Sequence, residues 1–209
     1  MPVSKKRMRV LEDLFRLDYP RLYPERAQAL RPLVLSFSPE TTMKAGLRHL
    51  RFVTPMGPLL AFADSAGLCG LYFEDQKDCP SSGQSNADDA DPILRQTRDQ
   101  ILDYFAGRLG AFSVPLSPAV TPFQQRVRDA LLKVPAAHTT TYGALARSID
   151  SPRGFRAVAQ ALARNPIIII VPCHRVLASD GSLGGFSAGL ARKPALLAHE
   201  VQHWPRTES

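Results

Sequence analysis

The segment Asn165-Pro166-Ile167-Ile168-Ile169-Ile170-Val171-Pro172-Cys173-His174-Arg175-Val176 sets a cysteine between a proline and a histidine, after five β-branched residues. Such a run reads as a buried strand, and a cysteine at its end lies where pockets form. The sulfur attacks only as a thiolate, so it needs a neighbouring base or a positive field to take its proton. His174 is adjacent, but neighbours on a strand face opposite sides. Any relay between them must therefore run through a local distortion of the backbone or through a water. Glu200 is a candidate to orient that imidazole and to stabilise its cation. The competing reading is a small, inert core cysteine. Pro172 ends the run and Arg175 brings a guanidinium that a core does not accept unpaired, and both favour the pocket.

The elements that must position this segment fall into three parts. Residues 1–45 form a basic N-terminal extension with Lys5-Lys6-Arg7-Met8-Arg9, a short amphipathic helix through Val10, Leu11, Leu14, Phe15 and Leu17, and an irregular arm broken by Pro20, Pro24 and Pro32. Residues 46–115 read as a small α+β domain. Leu47–Thr54, Leu59–Asp64 and Leu68–Phe73 alternate with turn residues as a β-meander, and Pro92 opens a helix striped by Leu94, Ile101 and Phe105 that stops at Gly107. Between them, 78–91 is a polar, acidic loop expected to be mobile. Residues 116–209 read as mostly helical. Thr121 caps a helix carrying Phe123, Val127, Leu131 and Val134; a short helix follows with Tyr142, Leu145, Ala146 and Ile149; and a third carries Phe155, Val158 and Leu162. The last two, joined by Ser151-Pro152-Arg153-Gly154, outline a helix-turn-helix with Arg153, Arg156 and Arg164 beside its second helix.

Composition bounds the partners. The chain has 209 residues, 44% hydrophobic and 22% charged, with a formal charge of +7. This excludes a wholly disordered chain. Residues 1–51 hold eleven basic against five acidic side chains, 52–121 four against nine, and 122–209 eleven against five. The basic C-terminal block suits a polyanion, nucleic acid first. Ile167–Val171 is too short to span a bilayer and the N-terminus carries no secretory pattern, so an intracellular, reducing compartment is expected, cytoplasm or nucleoid in a bacterium and nucleus in a eukaryote. Cys69, Cys79 and Cys173 do not make a disulfide framework, and His49 beside the first two is no metal set, so no metal or other cofactor is expected.

Pro172-Cys173-His174-Arg175-Val176, then Gly181-Ser182-Leu183-Gly184-Gly185-Phe186, Arg192-Lys193, Leu196-Leu197 and Glu200, resembles the methylated-DNA–protein-cysteine methyltransferase family, the O6-alkylguanine-DNA alkyltransferases. The likeness runs without a gap from about Thr121 to Glu200, and the β-meander before it is similar to the family's smaller, ribonuclease-H-like domain. The resemblance implies an α+β protein in which that domain precedes a helix-turn-helix catalytic domain. It also implies a single-turnover reaction: an alkylated guanine is flipped out of double-stranded DNA and its alkyl group moves irreversibly to Cys173, with O4-alkylthymine a further substrate left open. Flipping answers a geometric need, because a nucleophile cannot align on a stacked base.

Position by position, the resemblance makes His174 the water-mediated base, Glu200 its partner and Asn165 the brace of the active-site turn. Tyr142 becomes the hydrogen-bond donor to the flipped purine. Ser187 presents backbone to the lesion oxygen, the Val176 carbonyl reads the guanine amine, and Phe186 lies in the pocket loop. Arg156 fills the gap left by the base, with Arg153, Ala157 and Arg164 among the DNA-binding positions. A monomer is implied, with cooperative assembly on DNA left open.

Several positions depart from the family pattern. Ala159 and Ala137 replace frequent glycines, Phe186 a tyrosine, Ala188 a glycine and Arg128 a tryptophan. The changes at 186 and 188 bear on the size of alkyl group accepted. Three other functions compete. A non-catalytic lesion-binding protein is opposed by the presence of Cys173. A transcriptional regulator is opposed by the lack of any regulatory domain pattern before residue 46. A cysteine hydrolase is opposed by the lack of a nucleophile-bearing helix with a distant histidine.

Overall fold

Pro55-Met56-Gly57 closes the first hairpin. The computed structural model describes residues 46–205, and in it β1 (Arg48–Thr54) and β2 (Gly57–Ala63) pair antiparallel, Thr54 opposite Gly57. Gly57 takes φ +116°, open to a residue without a side chain. β3 (Leu68–Phe73) pairs antiparallel with β2. The turn before it needs Gly67, where a Cβ would lie 2.6 Å from the Pro115 carbonyl oxygen. The extension read over residues 1–45 lies outside the described residues.

The acidic stretch 78–91 is more structured than its composition suggests. It holds a 3-10 turn at Ser82–Gln84 and a two-residue strand, β4 (Asn86–Ala87), parallel to β1. Two backbone bonds attach it, from Asn86 N–H to the Leu47 carbonyl and from Asp88 N–H to that of His49. An edge strand offers such bonds to any chain, and side chains add to them here, Ser85 Oγ with His49 Nδ1 at 2.8 Å and Arg48 Nε to Asp91 Oδ2 at 2.6 Å. The sheet order is β3-β2-β1-β4.

Asp91 caps α1 (Pro92–Phe105), its side chain accepting from Leu94 N–H. The buried stripe is Leu94, Thr97, Ile101 and Tyr104, so Tyr104 rather than Phe105 faces inward. The spacing of three, four and three keeps these on one helix face. The linker beyond lies along the β3 edge, where Leu68 N–H bonds the Pro115 carbonyl and Ser117 N–H bonds that of Leu68.

Thr121 and Gln124 form a capping box on α2 (Pro122–Leu132). Arg128 is buried along its stem and donates to the Ser117 carbonyl. β5 (Thr140–Thr141) runs into α3 (Tyr142–Ser148), which a turn joins to α4 (Phe155–Ala163). β5 pairs parallel with β6 (Val176–Leu177), Thr140 opposite Val176. That pairing brings the start of α3 beside the segment after Cys173. α5 (Arg192–His203) is the last helix among the described residues. One continuous apolar core joins Phe52, Leu59, Leu71 and Ile101 to Val127, Leu145, Val158, Ile167–Val171 and Leu196.

Candidate active site

Ile167–Val171 is not the expected strand. Among the described residues it makes one bridge, Ile167 to Leu71 of β3, and then turns, with Ile169 at φ +68° and Val171 N–H bonding back to the Ile167 carbonyl at 3.0 Å. Asn165 holds the turn. Its Nδ2 donates to the carbonyls of Ile167 (3.3 Å) and Val171 (2.9 Å), and its Oδ1 accepts from Ile167 N–H (3.2 Å). The apolar run is buried because the turn lies in the core shared by both halves, not because it belongs to a sheet.

Cys173, His174 and Arg175 then form one turn of 3-10 helix. Consecutive side chains there diverge by about 120°, so the opposite-face geometry of a strand no longer applies. Asn165 Nδ2 also reaches Cys173 Sγ at 3.1 Å. A donor aimed at sulfur favours the thiolate. Burial pushes the thiol above its ordinary value, while the Asn165 bond, the charge of Lys193 and the local backbone N–H groups pull it down.

Behind the cysteine lies a buried polar cluster centred on Glu200. His174 Nε2 donates to Glu200 Oε1 at 2.8 Å, both side chains fully buried. Arg175 forks onto the same carboxylate, Nη2 to Oε1 at 2.8 Å and Nε to Oε2 at 3.1 Å, and gives Nη1 to the Val134 carbonyl at 2.6 Å. The Tyr104 hydroxyl donates to Oε1 at 3.0 Å and Ala137 N–H to Oε2 at 3.0 Å. Burial alone would raise the Glu200 carboxyl, but His174 and Arg175 outweigh it and hold the group at about 2. Burial lowers His174 below the ordinary imidazole value despite Glu200. The ring is therefore neutral near pH 7. With Nε2–H committed to Glu200, Nδ1 is its acceptor, buried and without a hydrogen-bond partner among the described residues. Arg175 is in the core after all, but as a paired group.

The front of the site is a loop between β6 and α5. Tyr142, half-buried at the first position of α3, faces it, since a Cβ on Gly184 would lie 3.2 Å from the Tyr142 hydroxyl. Gly184 also takes φ +62°, so both space and backbone call for glycine. Burial and the charge of Cys173 raise the Tyr142 hydroxyl, which is thereby kept protonated as a donor. Phe186 meets the His174 ring edge-on at 6.4 Å between centroids. The Ser187 hydroxyl is buried and unpartnered among the described residues. Lys193, fully buried, donates to the Val176 carbonyl at 2.7 Å and to those of Leu183 and Gly185. Burial lowers its ammonium to about 8, against the charge of Cys173.

The cluster thus gathers Cys173, His174, Glu200, Asn165 and Tyr142, with Phe186 against the His174 ring, Val176 bonded to Lys193, and Ser187 next to Phe186 in the same loop. Arg153, Arg156, Ala157 and Arg164 are all exposed on or beside α4, with the Arg156 guanidinium 5.4 Å from the Phe155 ring centroid. Tyr104, Arg175 and Lys193 carry structural roles that sequence reasoning did not assign. A lysine at the start of a helix reads as solvated, and nothing in its neighbours signals burial. No helix among the described residues is long and apolar enough to cross a membrane.

Residues 47–118 match the ribonuclease-like domain of 6-O-methylguanine DNA methyltransferase, and residues 122–202 match its DNA binding domain. A methylated-DNA–protein-cysteine methyltransferase of Methanosarcina acetivorans is 41% identical over 152 residues, covering 71% of this chain and 95% of the relative. That of Mycobacterium tuberculosis is 40% identical over 158 residues, covering 75% and 94%. A crystal structure of the Mycobacterium tuberculosis protein in complex with DNA superposes with a TM-score of 0.70 at 39% identity, over 76% of this chain and 95% of that one. With both domains matched in order and relatives covered almost end to end, the chain belongs to the methylated-DNA–protein-cysteine methyltransferase family.

Proposed function

We propose that the protein repairs O6-alkylguanine in double-stranded DNA by extruding the base and taking its alkyl group onto Cys173 in a single turnover. The observation that carries this reading is the Asn165 amide 3.1 Å from Cys173 Sγ, beside a neutral His174 anchored to Glu200. The S–C bond forms as the C–O6 bond breaks. The thiol proton leaves through the free Nδ1 face of His174, by way of a water, and the departing guanine anion takes up a proton. Tyr142, kept protonated, donates to the purine as that negative charge develops. The thioether left on Cys173 has no route back to a thiol, which makes the reaction stoichiometric.

The exposed basic helix α4 faces the duplex. Arg153 and Arg164 meet phosphate, Ala157 lets the backbone approach, and Arg156 occupies the vacated stack. Loop residues Ser187 and Phe186 and the Val176 carbonyl frame the lesion. Lys193 uses one lone pair of that carbonyl, and the second serves the guanine amine.

The test is intact-mass measurement after incubation with a duplex containing 6-O-methylguanine. One added methyl on the wild type and none on Cys173→Ala is the expected result. Repaired DNA beside an unmodified wild-type mass would refute transfer to protein. A parallel duplex with 4-O-methylthymine reads the pyrimidine activity.

A further inference from the structure

The loop that walls the Cys173 pocket, Leu183-Gly184-Gly185-Phe186-Ser187-Ala188-Gly189, has three glycines and little stiffness of its own. Its order comes from its anchors. Lys193 holds Leu183 and Gly185 from within the C-terminal half. The far end is held by the preceding residue. Arg192 Nη1 donates to the Ala188 carbonyl at 3.0 Å, and the rest of its guanidinium leaves the C-terminal half altogether. It lies 3.9 Å from the centroid of Phe73 at the end of β3, donates through Nε to the Met56 carbonyl in the β1–β2 turn at 3.4 Å, and pairs with Asp75 at 2.8 Å.

We propose that Arg192 is a positioning residue through which the ribonuclease-like sheet holds the lesion-pocket loop in its reactive shape. The sheet then acts on alkyl transfer without touching the substrate. This rests on the reading of the loop as the pocket wall. A planar fork suits the task, because one group stacks on a ring, bonds two carbonyls and meets a carboxylate at once. The partner carboxylate is 62% exposed and the arginine 14%, so the pair is screened by salt and its contribution is modest.

Asp75 offers a clean test, because removing an exposed carboxylate leaves the core intact. In the full-length chain, Asp75→Ala should lower the saturating single-turnover transfer rate about two- to fivefold, the range of a partly exposed pair. The DNA concentration giving half that rate should stay unchanged. Amide hydrogen exchange in 182–191 should speed up while α2 stays protected. Arg192→Ala should cost more, and Arg192→Lys, which keeps the charge but not the fork, should fall between. With a free O6-alkylguanine base, which needs no phosphate contact, added salt should slow the wild type towards the Asp75→Ala rate and leave Asp75→Ala unchanged. A wild type that transfers its alkyl group and an Asp75→Ala variant matching it in rate and loop exchange would overturn this proposal alone. A wild type that takes up no alkyl group would overturn the functional reading instead.

Discussion

Asn165 Nδ2 lies 2.9 Å from the Val171 carbonyl and 3.1 Å from Cys173 Sγ, so one amide both shapes the turn and faces the nucleophile. Replacing it therefore has two separable effects. Asn165→Ala leaves the buried Ile167 N–H without its acceptor and strips one donor each from the Ile167 and Val171 carbonyls, which keep the N–H groups of Val171 and Cys173. It should cost about 1–3 kcal/mol in denaturant unfolding. Transfer should slow as well, because the thiolate loses its donor. Asn165→Asp, which sets a negative charge beside sulfur, should slow transfer further than Asn165→Ala at equal folded fraction.

Glu200 is held by Arg175, His174, Tyr104 and Ala137 at once. Glu200→Gln keeps the shape but strips the charge that pairs a buried guanidinium. It should destabilise by about 3–5 kcal/mol. Adding Arg175→Met should return part of that loss, and urea titrations of the single and double variants measure the coupling.

The same carboxylate governs acid stability. Its folded value near 2 lies below the ordinary 4.5, so its contribution is complete above about 4.5 and is lost as pH falls towards 2. Stability followed from pH 6 downward should decline through that window, and Glu200→Gln should flatten the decline. Transfer obeys a different group. His174 is depressed below 6.5 and serves as acceptor only when neutral, so the rate should hold through pH 6.5 and fall below it.

Arg156 is exposed on α4. Arg156→Ala should reduce repair of a duplex lesion by tenfold or more, on the order of 1.4 kcal/mol, while sparing reaction with a free O6-alkylguanine base. Equal loss on both substrates would contradict a role in base extrusion.

Ala137 takes φ +60° while its N–H bonds Glu200. A left-handed alanine is strained by about 1–2 kcal/mol, and glycine gives back about 0.5–1 kcal/mol of that in chain entropy. Ala137→Gly should raise stability by up to about 1 kcal/mol in thermal unfolding, with the transfer rate unchanged.

Much of the fold was legible locally. The three strands of the meander, the Pro92 helix and the Thr121-capped helix are each written in turn residues, caps and periodic apolar positions within a dozen residues. Ile167–Val171 departs from the strand its residues favour for a physical reason. Five β-branched residues favour a strand, but the turn's own backbone N–H groups and the Asn165 side chain together satisfy the carbonyls that a ladder would have used, and burial on all sides makes a turn as apolar as a strand.

By itself, the sequence determined the nucleophile, its histidine, the basic character of the C-terminal half and the family resemblance, because these depend on residue type and spacing along one stretch of chain. Tertiary structure alone decided the surroundings. Glu200, 26 positions from His174, meets it only because α5 packs on the 3-10 turn, and Tyr104 joins from 96 positions away. Lys193 and Arg192, neighbours in a basic pair, part company there. One is buried on three carbonyls and the other reaches across to the sheet. Burial and partner are properties of the packed chain, and they turn residues that read as solvated charges into the frame that holds Cys173.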